Sequence, residues 1–578
     1  MNRRTFIMKS GALAMLTPEA TTLKPAVSGN YPHLSDNKSR KPSWLVELIR
    51  INDGNIKNIL PSRVSDPSSP DYGGFKNNVE IINPQSTESF IRMAICAITV
   101  RESDYYNDAV ITAQINDAIL FLLKVQHDDG TIDLLTTNFH SPPDTAFIVK
   151  RLVPSRILLM NSDVTGKSDL LNNLQHFLQK AGGALVIGGI HTPNHRWVVC
   201  SALAWLYTLW PERKYLDRAE TWLAEGIDMD PDGQYHEKST YIYSPLSNRT
   251  LISIAQGFDK PELLNYVRRN LEMTFYYVHP NGEVVTEVSG RQDRAIIGTL
   301  ENYYYPYRFM AHYNGDGRHA AMCRLIEETA FPKTVPYLYL FLEDHSLWKE
   351  LPPSEPLPSN YIKDFPYSGL VRIRRGDYDA SVVSKNPLFF TFHNGLAVLQ
   401  GVRVASAFFG KGQFSSEEIL REEGKWILKS ELQGPYYQPF IGDSIPGDGD
   451  WEKMPRNQRE QTEIQHLETN VIIQESGKGF ELAFDISGTD NVPVSIELIF
   501  RPGGEFSGVE PHDSMNDSYL LKNGFGSYSF RGDVINYGPG TYAHSWLQLR
   551  GALPKMDAPT VYLTGFTPFQ KKIFISAG

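Results

Sequence analysis

The sequence predicts two large domains, an incomplete α/α toroid followed by an antiparallel β-sandwich. Its 578 residues exceed what one hydrophobic core usually organises. Apolar residues recur at helical spacing within residues 84–335, and they alternate with polar residues within residues 367–578. The Pro-rich segment 336–366 lies between the two patterns, and we interpret it as a linker.

The start of the chain resembles an export signal. Arg3 and Arg4 precede a short apolar run, as in a twin-arginine signal. We therefore expect residues 1–25 to send the protein to the periplasm or out of the cell. The alternative is a disordered cytoplasmic tail, because Lys9 interrupts the apolar run. Residues 26–83 are rich in Pro, Ser, Asp and Asn and are predicted to form an N-terminal extension over the surface.

Helical periodicity defines the toroid. Ile111, Ile115, Ile119 and Leu122 fall on one face of a predicted helix. Gly-containing turns recur at intervals of roughly fifty residues, about the length of a helical hairpin, and stacked hairpins can close into a ring. The other amphipathic stretches are 145–159, 170–178, 198–209, 215–224, 263–275 and 294–312.

Alternation defines the β-sandwich. Val492, Val494, Ile496, Leu498 and Phe500 point to one side of a predicted strand, while the residues between them are mostly polar. A Gly-rich turn at 476–479 separates two strand-like runs, as in an antiparallel hairpin. This pattern is typical of packed antiparallel sheets.

Composition narrows the classes of function. The net charge of -10 argues against a nucleic-acid partner, although it does not exclude a local basic pocket for an anionic ligand. No segment after the signal is apolar over a length that spans a membrane. Cys96, Cys200 and Cys323 lack the paired spacing of a metal site and are predicted to be buried thiols. We predict no metal and no cofactor.

Three polar clusters of the helical half carry the candidate chemistry. They are residues 194–197, 232–243 and 289–294. Together they supply an amide, imidazoles, phenols and guanidinium groups, which suit the removal of a proton beside a carboxylate. A β-elimination at a uronate needs a group that neutralises the carboxylate, a base at C5 and an acid at the leaving oxygen.

The first cluster is predicted to bind the carboxylate at a helix start. Asn194 and His195 would face the positive end of the helix dipole. Arg196 would add an anion contact, and Trp197 a face on which a sugar can stack. The alternative for Asn194 is a helix cap, and for His195 a structural histidine.

The other clusters are predicted to supply proton transfer and substrate contacts. Tyr243, or otherwise Tyr241, is the candidate base or acid, and the alternative is that both tyrosines pack between helices. His236 lies in the same segment. Arg291 and Arg294 could grip the uronate and lower the pKa of a tyrosine, or they could form a salt-bridged helix start.

One further histidine precedes these clusters. His140 lies in the polar, Pro-rich segment 138–144, after the first Gly-containing turn. We expect this segment to line the cleft, and the alternative is an ordinary loop.

With these residues the chain resembles the heparinase and alginate-lyase group of polysaccharide lyases. The resemblance extends over most of the chain after residue 83, and it implies a toroid joined to a β-sandwich with an anionic poly- or oligosaccharide bound between them. It implies that Asn194 and His195 neutralise the carboxylate. The group's segment of Asp-Gly, Glu, Ser and Tyr matches Asp232-Gly233, Glu237, Ser239 and either Tyr241 or Tyr243. It also implies a histidine from the sandwich, for which His393 is the candidate.

Within that group the chain is similar overall to lyases that release rhamnose from glucuronate in arabinogalactan, which implies exo action. Two other functions remain open. A glycoside hydrolase on the same toroid would use paired carboxylates among Asp144, Asp232 and Glu237. A non-catalytic carbohydrate-binding protein would use an aromatic surface, here Trp197, Tyr303, Tyr304, Tyr305 and Tyr307. We favour the lyase because the clusters are poor in paired acids.

Overall fold

The computed structural model describes residues 40–441 and 449–578. The signal-like segment 1–25 lies outside these residues. The described part of the chain contains twelve α-helices: α1 Ser43–Ile59, α2 Pro84–Ile98, α3 Ala109–Val125, α4 Pro142–Met160, α5 Lys167–Ile187, α6 Pro193–Leu209, α7 Arg213–Leu223, α8 Tyr243–Gly257, α9 Leu264–Thr274, α10 Tyr304–Asn314, α11 Gly317–Thr329 and α12 Leu338–Glu343.

The helices form the predicted toroid. Helices α2, α4, α6, α8 and α10 pack in succession, each against the next, while α3, α5, α7, α9 and α11 pack against them as partners. Helix α3 shows why the sequence folds in this way. The Asp108 side chain caps its first turn by accepting from the backbone N–H of Ile111. Ile111, Ile115, Ile119 and Leu122 are buried, as their spacing predicted.

Three segments differ from the sequence prediction. Helix α1 lies inside the predicted extension 26–83, and its buried Leu45 and Leu48 belong to the toroid core. The turn-rich composition of the rest of that segment hides this amphipathic helix. Helix α12, inside the predicted linker, packs against α2 and α4. The prediction of a helix over 294–312 is wrong at its start, because α10 begins only at Tyr304.

The C-terminal part contains the predicted β-sandwich. Its strands are β5 Asn360–Phe365, β6 Leu370–Arg375, β7 Tyr378–Val383, β8 Phe390–Asn394, β9 Ala397–Ser406, β10 Leu420–Glu422, β11 Lys425–Tyr437, β12 Gln461–Ser476, β13 Gly479–Gly488, β14 Pro493–Phe500, β15 Glu505–Ser507, β16 Glu510–Pro511, β17 Ser518–Leu520, β18 Gly526–Phe530, β19 Asp533–Gly538, β20 Thr560–Phe566 and β21 Phe569–Ala577. Four short strands lie earlier: β1 Phe75–Lys76, β2 Ile82–Asn83, β3 Ile132–Leu134 and β4 Asn138–Ser141.

Two large sheets make the sandwich. The first has nine strands in the order β16-β17-β20-β14-β9-β8-β7-β6-β5, and the second has eight in the order β10-β11-β12-β13-β21-β19-β18-β15. Neighbouring strands are antiparallel, apart from the parallel pair β17 and β20. The predicted turn at 476–479 joins β12 to β13, and Gly477 there has a φ of 59°, which glycine adopts without strain. Val494, Ile496 and Leu498 are fully buried in the core.

Segment 273–288 forms one contact between the toroid and the sandwich. Tyr277 and Val285 of the toroid share a small apolar cluster with Phe365 and Leu370 of the sandwich. Beside it, both terminal nitrogens of Arg501 donate to Glu283, at 2.8 and 2.7 Å. A bidentate pair of this kind fixes orientation as well as distance. The turn that leads into the third polar cluster is therefore held against a sheet.

The three cysteines are free thiols buried in the toroid, as predicted. Among the described residues, no helix combines the length and the apolar character that a membrane crossing requires.

Candidate active site

The fold brings the three polar clusters together. Both the backbone N–H and the side-chain Nδ2 of Asn194 donate to Glu237 Oε1, at 3.0 and 2.6 Å. The other oxygen of Glu237 lies 3.7 Å from Nε of Arg291. Gln292 Nε2 donates to the Tyr243 hydroxyl at 2.8 Å. The first cluster thus contacts the second, and the second contacts the third.

Asp293 holds the second and third clusters in place. Its buried carboxylate accepts from Ser239 Oγ at 2.9 Å and from the backbone N–H of Tyr241 at 3.0 Å, and Ser289 Oγ donates to its other oxygen. Ser239 Oγ in turn accepts from the backbone N–H of Tyr243 at 3.0 Å. Because Tyr243 is the first residue of α8, these bonds fix where that helix begins.

The two candidate tyrosines have different surroundings. The Tyr241 hydroxyl donates to Glu301 Oε1 at 2.8 Å, and burial together with this carboxylate raises the pKa of Tyr241. Tyr243 is half-buried. Its ring lies 5.4 Å from the Arg291 guanidinium, and its oxygen accepts from Gln292. Tyr241 is held as a neutral phenol by Glu301, whereas Tyr243 has an amide donor on its hydroxyl and a cation beside its ring.

His195 is a neutral imidazole at the start of α6. It meets the ring of His191 edge-on at 4.7 Å and that of Phe147 at 6.2 Å. Burial, helped by His191, lowers the pKa of His195 to about 4. Its Nδ1 is buried and has no hydrogen-bond partner among residues 40–441 and 449–578. A buried N–H without an acceptor is costly, so we assign the proton to Nε2.

The other residues of the first cluster are bonded to neighbouring protein groups. Asn194 does not cap α6, because its amide donates to Glu237, and its Oδ1 is buried without a partner in the described part of the chain. Arg196 lies 3.1 Å from both Glu225 and Asp228 and stacks 4.5 Å from the Trp197 ring.

Trp197 is fully buried and donates through Nε1 to Asp228 at 2.8 Å. The predicted anion contact of Arg196 and the stacking face of Trp197 are therefore wrong. Successive residues of a helix point about 100° apart, so these two side chains turn away from the side that His195 faces.

The remaining toroid candidates lie at the periphery. His236 is exposed. Arg294 is also exposed, and its Nε donates to the carbonyl of Ser289 at 2.7 Å. No helix begins at 289–294, so the alternative of a salt-bridged helix start is wrong.

His140 stacks on His127 at 3.7 Å, and its Nδ1 lies 2.8 Å from Asp129. A surface groove passes this histidine, and its lining includes Asn138, Phe139 and His191. The predicted cleft-lining segment therefore borders a groove that reaches His191, the neighbour of His195.

His393 does not face this groove. It is 4% exposed, and its ring stacks in parallel on His279 at 3.7 Å, inside the contact between toroid and sandwich. Burial lowers its pKa well below the usual range. The predicted contact between His393 and substrate is wrong because the β7–β8 hairpin carries it under the toroid turn at His279 instead of toward the groove.

One group of described residues has the composition of a metal site: His279, Asp379 and His393. Asp379 already accepts from His279 Nδ1 at 3.0 Å and from Arg372. Burial raises the pKa of Asp379, but Arg372 and His279 outweigh it and hold that pKa below the usual range. One ligand atom from each of the three residues lies within 4.8 Å of the others, and His393 Nδ1 is buried without a hydrogen-bond partner in the described part of the chain. His, Asp and His are a donor set that suits a metal ion such as zinc, so these three side chains could hold one.

The residues proposed for the two alternative functions, a glycoside hydrolase and a carbohydrate-binding protein, have structural roles instead. Asp232 accepts from the backbone N–H of Ser368 at 3.0 Å, and Asp144 accepts from Ser141 Oγ at 2.6 Å. Each of these carboxylates therefore already has a structural partner. The proposed aromatic surface is absent, because the described side chains of this set are all buried: Trp197, Tyr303, Tyr304, Tyr305 and Tyr307.

Comparison with solved structures identifies the fold class. The chain is similar to heparinase III, with a TM-score of 0.56 and 12% identity over 96% of this chain and 88% of that one. It is similar to the Streptomyces coelicolor A3 chondroitin AC lyase in complex with chondroitin sulphate, with a TM-score of 0.54 and 12% identity over 94% and 81%. It is also similar to Paenibacillus xanthan lyase, with a TM-score of 0.53 and 10% identity over 92% and 56%.

No family model matches the sequence, and no curated protein matches it. At such low identity the three structures establish the fold alone. The chain has the architecture of a helical toroid joined to a β-sandwich, as predicted.

Proposed function

We propose that this protein is a polysaccharide lyase that cleaves a glycosidic bond to a uronic acid by β-elimination. The observation that carries the proposal is the environment of Tyr243. Its hydroxyl accepts from Gln292, its ring lies under the exposed Arg291 guanidinium, and the clusters that hold them also place a neutral His195 at the helix start. The three similar structures are named as lyases, which supports the same class.

Arg291 and His195 serve to neutralise the uronate carboxylate. Arg291 supplies a full positive charge, and its exposed side chain can reach a ligand. His195 supplies the Nε2–H as a donor. As the C5 proton leaves, negative charge moves onto the carboxylate, so these donors bind the transition state more strongly than the ground state.

Tyr243 serves as the group that moves the proton. It takes the C5 proton as phenolate and returns a proton to the glycosidic oxygen. The C5–H and C4–O bonds break, and a C4–C5 double bond forms in the uronate. The Gln292 amide donates to the hydroxyl oxygen, which is the atom that must accept the C5 proton.

Asn194 and Glu237 act on Arg291 rather than on the substrate. Glu237 is 7% exposed and accepts two hydrogen bonds from Asn194 through one oxygen. Its other oxygen faces Arg291. This arrangement orients the guanidinium over Tyr243 and leaves its remaining N–H groups free to bind a carboxylate. Both residues are therefore positioning residues in this proposal.

The finer proposal names the substrate and the place of action. From the similarity to rhamnose-releasing lyases, we propose exo action on glucuronate capped by rhamnose in arabinogalactan. From the signal-like segment 1–25, we propose that the protein acts in the periplasm or outside the cell.

The test is incubation with gum arabic, alginate, heparan sulfate and pectin while ultraviolet absorbance is followed. A rise with gum arabic and release of free rhamnose supports the finer proposal. A rise in absorbance only with another polymer supports the lyase proposal and excludes arabinogalactan as its substrate. Reducing sugar without absorbance contradicts the lyase and favours the hydrolase.

A further inference from the structure

A buried lysine on α4 has no partner of opposite charge. Lys150 is 7% exposed, and its ammonium lies 5.6 Å from the centre of the Phe147 ring. Among residues 40–441 and 449–578, no hydrogen bond or ion pair holds this ammonium. Buried charges are normally paired, so an ammonium left in this state calls for a ligand.

The groups around Lys150 carry excess positive charge. Arg151, Arg249 and Arg92 all act on it electrostatically, against a single carboxylate, Glu88. Glu88 is already used, because Arg92 Nε and Arg151 Nη1 each lie 3.1 Å from one of its oxygens. One carboxylate therefore faces four cations.

Arg249 brings a second helix to this group. It lies on α8, the helix that begins at Tyr243, and its guanidinium donates to the carbonyl of Asn302 and lies 4.5 Å from the Tyr337 ring. Neither contact neutralises its charge. Cations from α2, α4 and α8, three of the helices that pack in succession around the toroid, thus meet at one place.

This group is next to the candidate active site. Phe147 contacts the Lys150 ammonium on one side and the His195 ring on the other. Lys150 follows Phe147 by three residues, which is about 5 Å along a helix. The Lys150 ammonium and the His195 ring therefore contact the same phenyl ring of α4.

Burial explains why an anion is favoured here. Burial, followed by the charges of Arg151 and Arg249, lowers the pKa of Lys150 well below its usual range. An oxyanion beside the ammonium would oppose all of these effects and form charge-assisted hydrogen bonds.

We propose that Lys150, Arg151 and Arg249 form a second anion subsite, which binds an acidic group on the sugar adjacent to the uronate that is cleaved. The inference rests on the proposed lyase function in taking this anion as part of the polysaccharide, and it applies to a polymer with an acidic sugar beside the uronate, which neutral rhamnose does not supply. The shared chemistry is an oxyanion, and its source is the carboxylate of a second uronate or a sulfate ester.

The experiment measures binding without turnover. The full-length protein is titrated calorimetrically with D-glucuronate and with sodium sulfate, at an ionic strength kept constant with sodium chloride. The variants are Lys150→Met and Arg249→Met, with Lys57→Met as the matched control, because Lys57 is an exposed helical lysine. Binding to the wild type is expected to include a saturable component that is about tenfold or more weaker in the first two variants only, while binding at Arg291 is unchanged in all of them. The ligand that binds more tightly identifies the source.

Thermal unfolding supplies the second readout. Lys150→Met removes an unpaired buried charge, so its Tm without ligand is expected to rise. Sulfate or glucuronate should raise the Tm of the wild type more than that of Lys150→Met, which keeps only the carboxylate site at Arg291. Equal binding in wild type and Lys150→Met, or no saturable binding of either anion, would overturn the inference.

The two proposals can fail separately. If anion binding depends on Lys150 but no polymer yields an unsaturated product, the subsite proposal is supported and the lyase proposal is contradicted. If an unsaturated product forms but anion binding does not depend on Lys150, the lyase proposal is supported and the subsite proposal is contradicted.

Discussion

Two regions that each combine histidine, carboxylate and arginine, the contact between toroid and sandwich and the candidate active site, differ in how many of their donors are satisfied. At the contact between toroid and sandwich, Arg372 is fully buried and donates to Asp379, and His279 donates to the same carboxylate. At the candidate active site, Arg291 is exposed, and its Nε lies 3.7 Å from the Glu237 carboxylate, which is too far for a hydrogen bond.

The comparison teaches that residue type does not separate structural from catalytic clusters. In the interface cluster every charge has a partner within the protein, so the cluster joins two parts of the fold. In the toroid cluster a guanidinium and a phenol remain available to a ligand. The predictions below test this difference, and each alters one of the two regions.

The largest expected effect is on catalysis at Tyr243. Tyr243→Phe should lower kcat by about two to four orders of magnitude, since it removes the group that moves the proton. Tyr241→Phe is the matched control, and it should retain most activity because Tyr241 is bonded to Glu301. Initial rates of absorbance increase on the best polymer measure both. An inactive Tyr241→Phe beside an active Tyr243→Phe would contradict the assignment of Tyr243 as the proton-transfer residue.

The next effect is on stability at the interface. Arg372→Met should lower the free energy of unfolding by about 3–5 kcal/mol, because it leaves the buried Asp379 charge without its cation. Arg375→Met, on the same strand, removes a partly exposed pair with Glu475 and should cost less than about 1 kcal/mol. Chemical denaturation measures the two. Equal losses of unfolding free energy in both variants would show that the interface cluster stabilises the fold no more than a surface ion pair does.

Arg291 should show the opposite pattern. Arg291→Met is expected to lower kcat/KM by about a hundredfold while changing stability by less than about 1 kcal/mol, because the side chain is exposed and its pair is long. Arg294→Met is the neighbouring control, and its loss should be smaller. A large fall in Tm for the Arg291 variant would place that arginine with the structural cluster.

Glu237 should have a smaller effect that acts through Arg291. Glu237→Gln keeps the size of the side chain and removes its charge, so the guanidinium is held less firmly. We expect about a tenfold loss in kcat/KM, and a much smaller further loss when Arg291→Met is already present. Full additivity of the two changes would show that Glu237 acts independently.

The last effect, which is absent at neutral pH, is a pH dependence of stability from His195. Its pKa is about 4 in the folded protein and about 6.5 when unfolded. The unfolded state therefore binds the proton more readily, and stability falls as pH drops from 6.5 toward 4. Relative to His195→Gln, the wild type should lose Tm across this window and not above it. Parallel Tm curves for the two proteins would contradict a depressed pKa.

Much of the fold was predictable from the sequence because periodicity and turns are local signals. The helical spacing of α3 and the turn between β12 and β13 lie where the pattern placed them. Helix α1 was missed because Pro, Ser and Asp dominate the segment around it. The start of α10 was missed because residues 289–299 form turns held by Asp293, a tertiary contact that periodicity does not reveal.

The candidate site was predictable only in part. The three clusters could be found because polar residues lie at helix starts and after turns, and such positions point into one end of a helical ring. The directions in which the side chains of Arg196, Trp197 and His393 point could not be predicted, because they depend on the rotation of a helix and on the position of a hairpin. Lys150 gave no signal, because a lysine between apolar residues of a helix usually reaches solvent.

The measurement that tests the central claim most directly is the mass of the product formed in heavy-oxygen water. Elimination adds no water, so the account predicts an unsaturated uronate without heavy oxygen, and greatly reduced product from Tyr243→Phe. Hydrolysis incorporates one solvent oxygen at the cleaved bond. A saturated product that carries heavy oxygen would contradict the account.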